Sequence, residues 1–319
     1  AGPETDQALV RVTANDGAMP SDDSDGLFQI AGAGTDYYVN DASLAGDVFT
    51  VAAGDNAHTG KGPDQPMAGL YALLNAYDLD AGDTIHVDTG SYALAGNIRI
   101  TGDDSGVRIE GPIAHTALLD RGNESSGSYV FELVEADGVT LEGLSLTGAY
   151  EGIHDAGGSE NLVIADNVIF DHYYRGIRSV SADAVITGNI VHGTTYSYSD
   201  GIRVTGPGSV VSGNRVYDHR YSGIAAGASS SGDILIYGNT VYDNGSYGIH
   251  AQYDVVVSGN TVYGNPTGID VDDGAEASSN VVHGNTTGIR AGYSSGYATS
   301  VTSNRVYDNS GSGILAYRY

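Results

Sequence analysis

The 319-residue chain contains no cysteine. A disulfide framework and a thiolate metal site are therefore excluded, while the redox compartment stays open. It has a single lysine, Lys61, against twelve arginines, so chemistry that needs an amine has one candidate. Basic residues are scarce altogether: 13 stand against 40 acidic ones, for a formal charge of −27. That balance disfavours nucleic acid or an anionic membrane as the main partner. No run reaches the roughly 18 apolar residues that a membrane span needs. No signal peptide precedes Ala1, so either a leader was removed or the chain is an excerpt of something longer. Tryptophan is absent, whereas glycine (47) and tyrosine (23) abound, a composition of turns and sheets and not of helices.

What the sequence does contain is a repeat. The stretch Asn239 to Ile249, Asn-Thr-Val-Tyr-Asp-Asn-Gly-Ser-Tyr-Gly-Ile, returns in variant form from about residue 150 to the last residue. Aligned on the Gly-Ile pair, the copies fall at Gly152, Gly176, Gly201, Gly223, Gly248, Gly268, Gly288 and Gly313, at intervals of 20 to 25 residues. Such a period belongs to solenoids. A second anchor is asparagine, at Asn167, Asn189, Asn214, Asn239, Asn260, Asn280 and Asn304. Short β-branched runs, glycine at the corners and no helical pattern suit one turn of a parallel β-helix, built from three strands of roughly 3 to 5 residues. Stacking at about 4.8 Å is expected to align the asparagines in a ladder, each amide donating to its neighbour's carbonyl. The column Phe170, His192, Tyr217, Tyr242, Tyr263, His283 and Tyr307 recurs too evenly for an active site, and is expected to be a structural aromatic stack.

Before the repeats, residues 8–30 read as two strands joined by an acidic turn at Asp22, Asp23 and Asp25. The pair resembles the last hairpin of an immunoglobulin-like or fibronectin-like module of a bacterial surface protein. Residues 1–34 are accordingly expected to be the remnant of such a module or a link to one. Residues 35–319 are expected to form the β-helix, with a cap over 35–92 and regular turns from about 139. In the cap, Tyr37-Tyr38-Val39 is a strand and Gly54 to Pro63 a turn-rich loop. Pro66 opens a helix with Met67, Leu70, Tyr71, Leu74 and Tyr77 on one apolar face. Gly82-Asp83-Thr84-Ile85-His86-Val87 is the next strand, closed by Thr89-Gly90-Ser91-Tyr92. Less regular strands at 98–100, 107–109, 130–133 and 139–146 make the first turns.

This order, followed by the repeats, resembles the pectate-lyase-like superfamily of right-handed parallel β-helix proteins over about residues 37–319. The resemblance implies an all-β, right-handed parallel β-helix (solenoid) with an N-terminal capping helix. The superfamily includes polysaccharide lyases, hydrolases and epimerases, and also adhesins and surface modules without chemistry, so the fold leaves function open. The sequence stops at Gly313-Ile-Leu-Ala-Tyr-Arg-Tyr319 with no closing segment. An uncovered sheet end of that kind is expected to need a continuation or a partner subunit.

Alternation within each Gly-Ile strand points the Ile inward and its flanking residues outward. The column after Ile reads His154, Arg178, Arg203, Ala225, His250, Asp270, Arg290 and Leu315; the column before Gly reads Glu151, Arg175, Asp200, Ser222, Tyr247, Thr267, Thr287 and Ser312. Neighbouring turns would gather Glu151, His154, Arg175, Arg178, Asp200 and Arg203 on one surface. Tyr173, Tyr174, Tyr196, Tyr198 and Tyr221 edge it, and Tyr247, further along, is expected to bind substrate together with the six residues of that surface. Residues 171–221 carry five arginines and four aspartates, a local excess of positive charge in a strongly acidic chain. Arginine forks match carboxylates and tyrosines offer flat faces to sugar rings, so the ligand suggested is an acidic polysaccharide. The plainer reading pairs these arginines with Glu151 and Asp200 at the surface.

For an enzyme, the resemblance implies removal of a C5 proton from a uronate: Arg178 or Arg203 would neutralise the carboxylate, and His154, His250 or Tyr221 would act as base or acid. The sequence departs from the family in two ways. Mannuronan epimerases carry Asp-Pro-His-Glu or Asp-Pro-His-Asp where this chain has Gly152-Ile-His-Asp-Ala-Gly157, and lyases with a lysine base have no counterpart here, because Lys61 lies in the cap loop. Asp270, Asp272 and Asp273 could bind calcium or could simply be solvated. No cofactor is otherwise required. The uniform repeat and the missing motifs favour a noncatalytic, adhesive or fibre-forming module, extracellular or at the cell surface, whose partners are acidic polysaccharide or neighbouring copies of itself. A polyuronate lyase or C5-epimerase, and a carbohydrate-binding module without turnover, are the alternatives.

Overall fold

The computed structural model describes residues 35–227, 232–292 and 298–317, together with four short strands that precede them. These four, Thr5–Ala8, Arg11–Thr13, Ser21–Asp23 and Phe28–Ile30, pair antiparallel, the first with the fourth and the second with the third. Asp22 and Asp23 therefore lie in a strand opposite Val12 and Arg11, not in an acidic turn. Asp25 is outside the described residues.

From Asp36 onward the short β-branched runs stack as expected. Three parallel sheets of 11, 10 and 10 strands each place a strand beside its equivalent one coil away, and the coil is right-handed. One coil serves for all: Ile234–Tyr237 belongs to the first sheet, Thr240–Tyr242 to the second and Tyr247–Gln252 to the third. Ile236, Val241 and Ile249 point inward and are fully buried, as are their counterparts above and below.

The corner between the first and second sheets is two residues long in every regular coil. Its first residue has positive φ, as in Asp166 (51°), Gly238 (66°) and Ser303 (57°). Its second is the anchor asparagine. Each asparagine Nδ2 donates to the Oδ1 of the next, at 2.9–3.1 Å from Asn167 through to Asn304. That same Oδ1 also accepts the backbone N–H of the asparagine one coil back, for instance Asn214 N to Asn239 Oδ1 at 2.9 Å. A buried corner thus has its polar groups satisfied coil by coil.

A second ladder, absent from the sequence reading, stands five residues further along. Asn244, Asn265, Asn285 and Asn309 repeat the amide contact at 3.1–3.2 Å. In the earlier coils His172, Thr194 and His219 occupy its place. His219 Nε2 donates to Val191 O at 3.1 Å and its Nδ1 meets Thr194 Oγ1 at 2.9 Å. His172 Nε2 donates to Leu146 O at 3.2 Å, and its Nδ1 accepts the Ala149 N–H at 3.2 Å.

The Gly-Ile glycines are not corner residues. Most lie inside third-sheet strands, and none from Gly152 to Gly288 has positive φ. The cause is close approach: a Cβ at any of them would lie 2.4–2.8 Å from the backbone oxygen of the equivalent glycine one coil on. The outer aromatic column forms as expected, with rings from Phe170 to Tyr307 at 4.9–5.7 Å and within 15° of parallel.

In the cap, the helix covers only Leu70–Ala76. Residues after Pro66 stay extended because Met67 bridges Val39 and exchanges hydrogen bonds with Tyr38 and Asn40. Leu70 and Leu73 are the buried positions. Tyr71, expected on the apolar face, is 64% exposed, and Leu74 and Tyr77 are partly buried. The expected strand 139–146 is two strands, Thr140–Glu142 and Ser145–Ala149, and Ala117–Asn123 adds a strand that the sequence reading did not place. No helix among the described residues is long and apolar enough to cross a membrane.

Candidate functional site: a notch in the third sheet

Strand register places the outward columns where alternation puts them. Glu151 lies opposite Arg175, His154 opposite Arg178, and Arg178 opposite Arg203. Arg203 then faces Ala225, Ala225 faces His250, His250 faces Asp270, and Asp270 faces Arg290. Ala225 is the small residue in a column of large ones. The gap above its methyl is a depression of about 310 Å³, walled by Arg203 and His250 and lined also by Asp200, Tyr221 and Tyr253.

The carboxylates of this face are not the surface groups expected. Glu151, Asp200, Asp270 and Asp272 are all buried; Arg175 and His154 pack on Glu151, and Arg290 and His250 on Asp270. Glu151 is fully engaged: Arg175 Nη1 donates to its Oε1 at 2.8 Å and His154 Nδ1 to its Oε2 at 2.5 Å. His154 also stacks on Tyr129, with centroids 4.0 Å apart and planes 4° from parallel. Arg178 Nη1 donates to the Asp155 carbonyl at 2.5 Å. His154 stands four coils from His250, about 19 Å at the usual strand spacing. The five residues suggested for catalysis therefore divide: Arg203, Tyr221 and His250 share the notch, and His154 and Arg178 do not line it.

Asp200 is different. It is 2% exposed, its Oδ2 is 3.4 Å from Arg203 Nη1 and 3.8 Å from Arg175 Nε, and among the described residues its Oδ1 has no hydrogen-bond partner. Ser222 Oγ, nearby in the following coil, also lacks one. A buried carboxylate oxygen left unsatisfied is costly, and calls for a ligand, an ordered water or ion, or a catalytic role to account for it.

Burial pushes the His250 imidazole below its ordinary value, against the opposing pull of Asp270, Asp200 and Asp272. It is thus neutral near pH 7 and able to accept a proton. Burial, then Tyr247 and Asp200, raise the Tyr221 hydroxyl above its ordinary value, so it keeps its proton. Arg203 reaches solvent at the lip of the notch. The site holds a neutral base, a protonated donor and a cation around one depression. Tyr247, expected to bind substrate, stacks on His250 and accepts from Arg290 Nη2 at 3.0 Å.

Of the suggested calcium ligands, Asp270 and Asp272 come together with His250, their ligand atoms within 4.8 Å of one another; Asp273 is not in the group. Arg290 grips both oxygens of Asp270, at 2.6 and 2.7 Å. A hard cation would have to displace that guanidinium, and imidazole is a poor ligand for calcium.

The register and the coil define the class: this is a right-handed parallel β-helix protein with the pectate-lyase-like architecture. The family profile described as right handed beta helix region matches residues 151–302. Among solved structures, the chain is similar to the pectate lyase Pel9A, at 15% identity over 90% of this chain and 80% of that one, with a TM-score of 0.59. It is also similar to an alginate lyase from Paenibacillus sp. str. FPU-7, at 17% identity over 78% and 96% (TM-score 0.62), and to XylC in complex with xylose, at 11% over 85% and 70% (TM-score 0.61). At these identities the likeness establishes the fold. Comparison with curated protein sequences gives no significant match.

Proposed function

We propose that the protein acts on an acidic polysaccharide at the Ala225 notch, by removing the C5 proton of a uronate residue, at an extracellular or cell-surface location. The observation that carries this reading is the Oδ1 of buried Asp200, which has no partner among the described residues, beside a cation and a neutral imidazole. Arg203 neutralises the uronate carboxylate, which acidifies the C5 hydrogen. His250 takes that proton. In β-elimination the electrons form the C4–C5 double bond, the C4–O bond breaks, and Tyr221 protonates the departing oxygen. In epimerisation no C–O bond breaks, and Tyr221 gives its proton to C5 from the opposite face, to be reprotonated from solvent. Nothing among the described residues supports the fibre-forming reading.

The test is incubation with alginate and polygalacturonate, followed both by ultraviolet absorbance of unsaturated ends and by deuterium incorporation at C5. General acid–base groups contribute roughly 10²- to 10⁴-fold and an electrostatic stabiliser of developing charge roughly 10²- to 10³-fold, so His250→Ala, Tyr221→Phe and Arg203→Ala should each lower turnover by about a hundredfold or more. Binding without either product would make the notch a noncatalytic binding site. Turnover that survives in His250→Ala would remove the assignment of the base.

A further inference from the structure

The turns leading into the third sheet carry tyrosines that touch one another in an unbroken series beside the notch. Ring centroids are 5.8 Å apart for Tyr150 and Tyr173, 5.3 Å for Tyr173 and Tyr196, and 6.2 Å for Tyr196 and Tyr198; the series continues at 5.8 Å to Tyr221 and 5.4 Å to Tyr247. Backbone hydrogen bonds tie the turns together, Tyr173 N to Ala149 O, Tyr196 N to Tyr173 O and Tyr221 N to Ser199 O. The series therefore advances coil by coil along the axis and ends at His250, on which Tyr247 stacks.

Its geometry differs from that of the outer aromatic column. There the rings lie within 15° of parallel and cover one another's faces. In the tyrosine series neighbouring planes are inclined by 28° to 85°, which leaves ring faces open. Tyr196 and Tyr198, on the turn between His192 and Asp200, are 39% and 65% exposed. A ring stack built for sheet stability has no reason to present faces to water. Arg175 packs over Tyr174, 3.9 Å from its centroid, and Arg178 and Arg203 run alongside in the adjacent strand column.

We propose that this tyrosine ridge binds several consecutive residues of a polyuronate chain laid along the coil axis. Sugar faces rest on the tilted rings, carboxylates meet the neighbouring arginines, and the chain enters the notch past Tyr221. A pyranose residue and a coil advance by similar lengths, so each coil takes about one sugar. The inference rests on the acidic-polysaccharide reading but not on turnover.

The experiment is a tyrosine-fluorescence titration of the wild type and the Tyr196→Ala/Tyr198→Ala double variant with defined trimers and hexamers of alginate and polygalacturonate. No tryptophan competes with that signal. One of the two hexamers is expected to bind the wild type at least tenfold more tightly than its trimer, and the double variant to lose about tenfold for the hexamer but nothing for the trimer. Both side chains are exposed but pack on Tyr173, Tyr174 and Tyr221, so the thermal midpoint should fall by only a few degrees and a folding defect would be visible there as a larger loss. Equal hexamer affinity in variant and wild type, or binding of neither hexamer, overturns the ridge. Hexamer binding that depends on the ridge without any product keeps the ridge and removes the chemistry; turnover indifferent to the double variant does the reverse.

Discussion

Acid should weaken this coil at two identifiable points. His172 and His219 are almost wholly buried in the second ladder, where later coils carry asparagine. Burial pushes their imidazoles from the ordinary 6.5 down to about 4 and about 3 respectively. The unfolded chain therefore binds protons that the folded chain refuses as the pH falls through 6.5, and stability declines until the folded-state values are reached. At pH 4.5 the loss relative to pH 7.5 is about 2.5 kcal/mol for each histidine, about 5 kcal/mol together, a sizeable part of the 5–15 kcal/mol typical of a folded domain. His172→Asn/His219→Asn places at both sites the side chain that Asn244, Asn265 and Asn285 already use, and should remove this component. The assay is the urea unfolding midpoint by far-ultraviolet circular dichroism from pH 7.5 to 4.5. Carboxylate titration is common to both proteins and cancels in the difference. A double variant that loses as much stability over that range as the wild type would refute the reasoning.

Three further outcomes follow from the geometry. Gly248→Ala brings a Cβ to 2.4 Å from Val262 Cγ1 and 2.5 Å from the Gly268 oxygen; because backbone cannot swing aside, a loss of about 3 kcal/mol is expected in the same urea assay, and a neutral result would undo the close-approach account. Arg290→Leu leaves the fully buried Asp270 carboxylate without its fork, and should cost about 3–5 kcal/mol, with part regained on adding Asp270→Asn. Millimolar calcium should leave the thermal midpoint where it is, since Arg290 already occupies both Asp270 oxygens; a rise of several degrees would show that calcium displaces it.

Much of this architecture is legible in the sequence because its period is carried by residues whose roles leave little room for exchange. A glycine that must admit a backbone oxygen and an asparagine that must serve two neighbours recur at fixed places, so their spacing fixes which residues touch. The second ladder escaped notice because His172, Thr194 and His219 interrupt it, although each stands five residues after an anchor asparagine. The helix start was misplaced because Pro66 suits a first turn as well as the extended segment that Met67 needs to bridge Val39. Alternation assigned Glu151, Asp200 and Asp270 to the outer face correctly, yet could not show that neighbouring side chains and turns bury them. The notch was written in the column as an alanine among arginines and histidines. Its meaning depends on the Asp200 oxygen beside it, which lacks a partner among the described residues and which no spacing reveals.

The invariant two-residue corner has a consequence for how such a chain can lengthen or shorten. Insertions accumulate in the other two bends, as the varied spacings of the Gly-Ile pairs show, while the asparagine presents identical handles to whatever lies on either side. Excising 239–259 would splice Gly238 to Asn260, offer the Asn214 N–H groups the same carbonyl acceptor from a new asparagine, and set Ile224 beside Ile269. The molecule is in this sense a string of interchangeable links, whose working surface is edited by choosing which links remain.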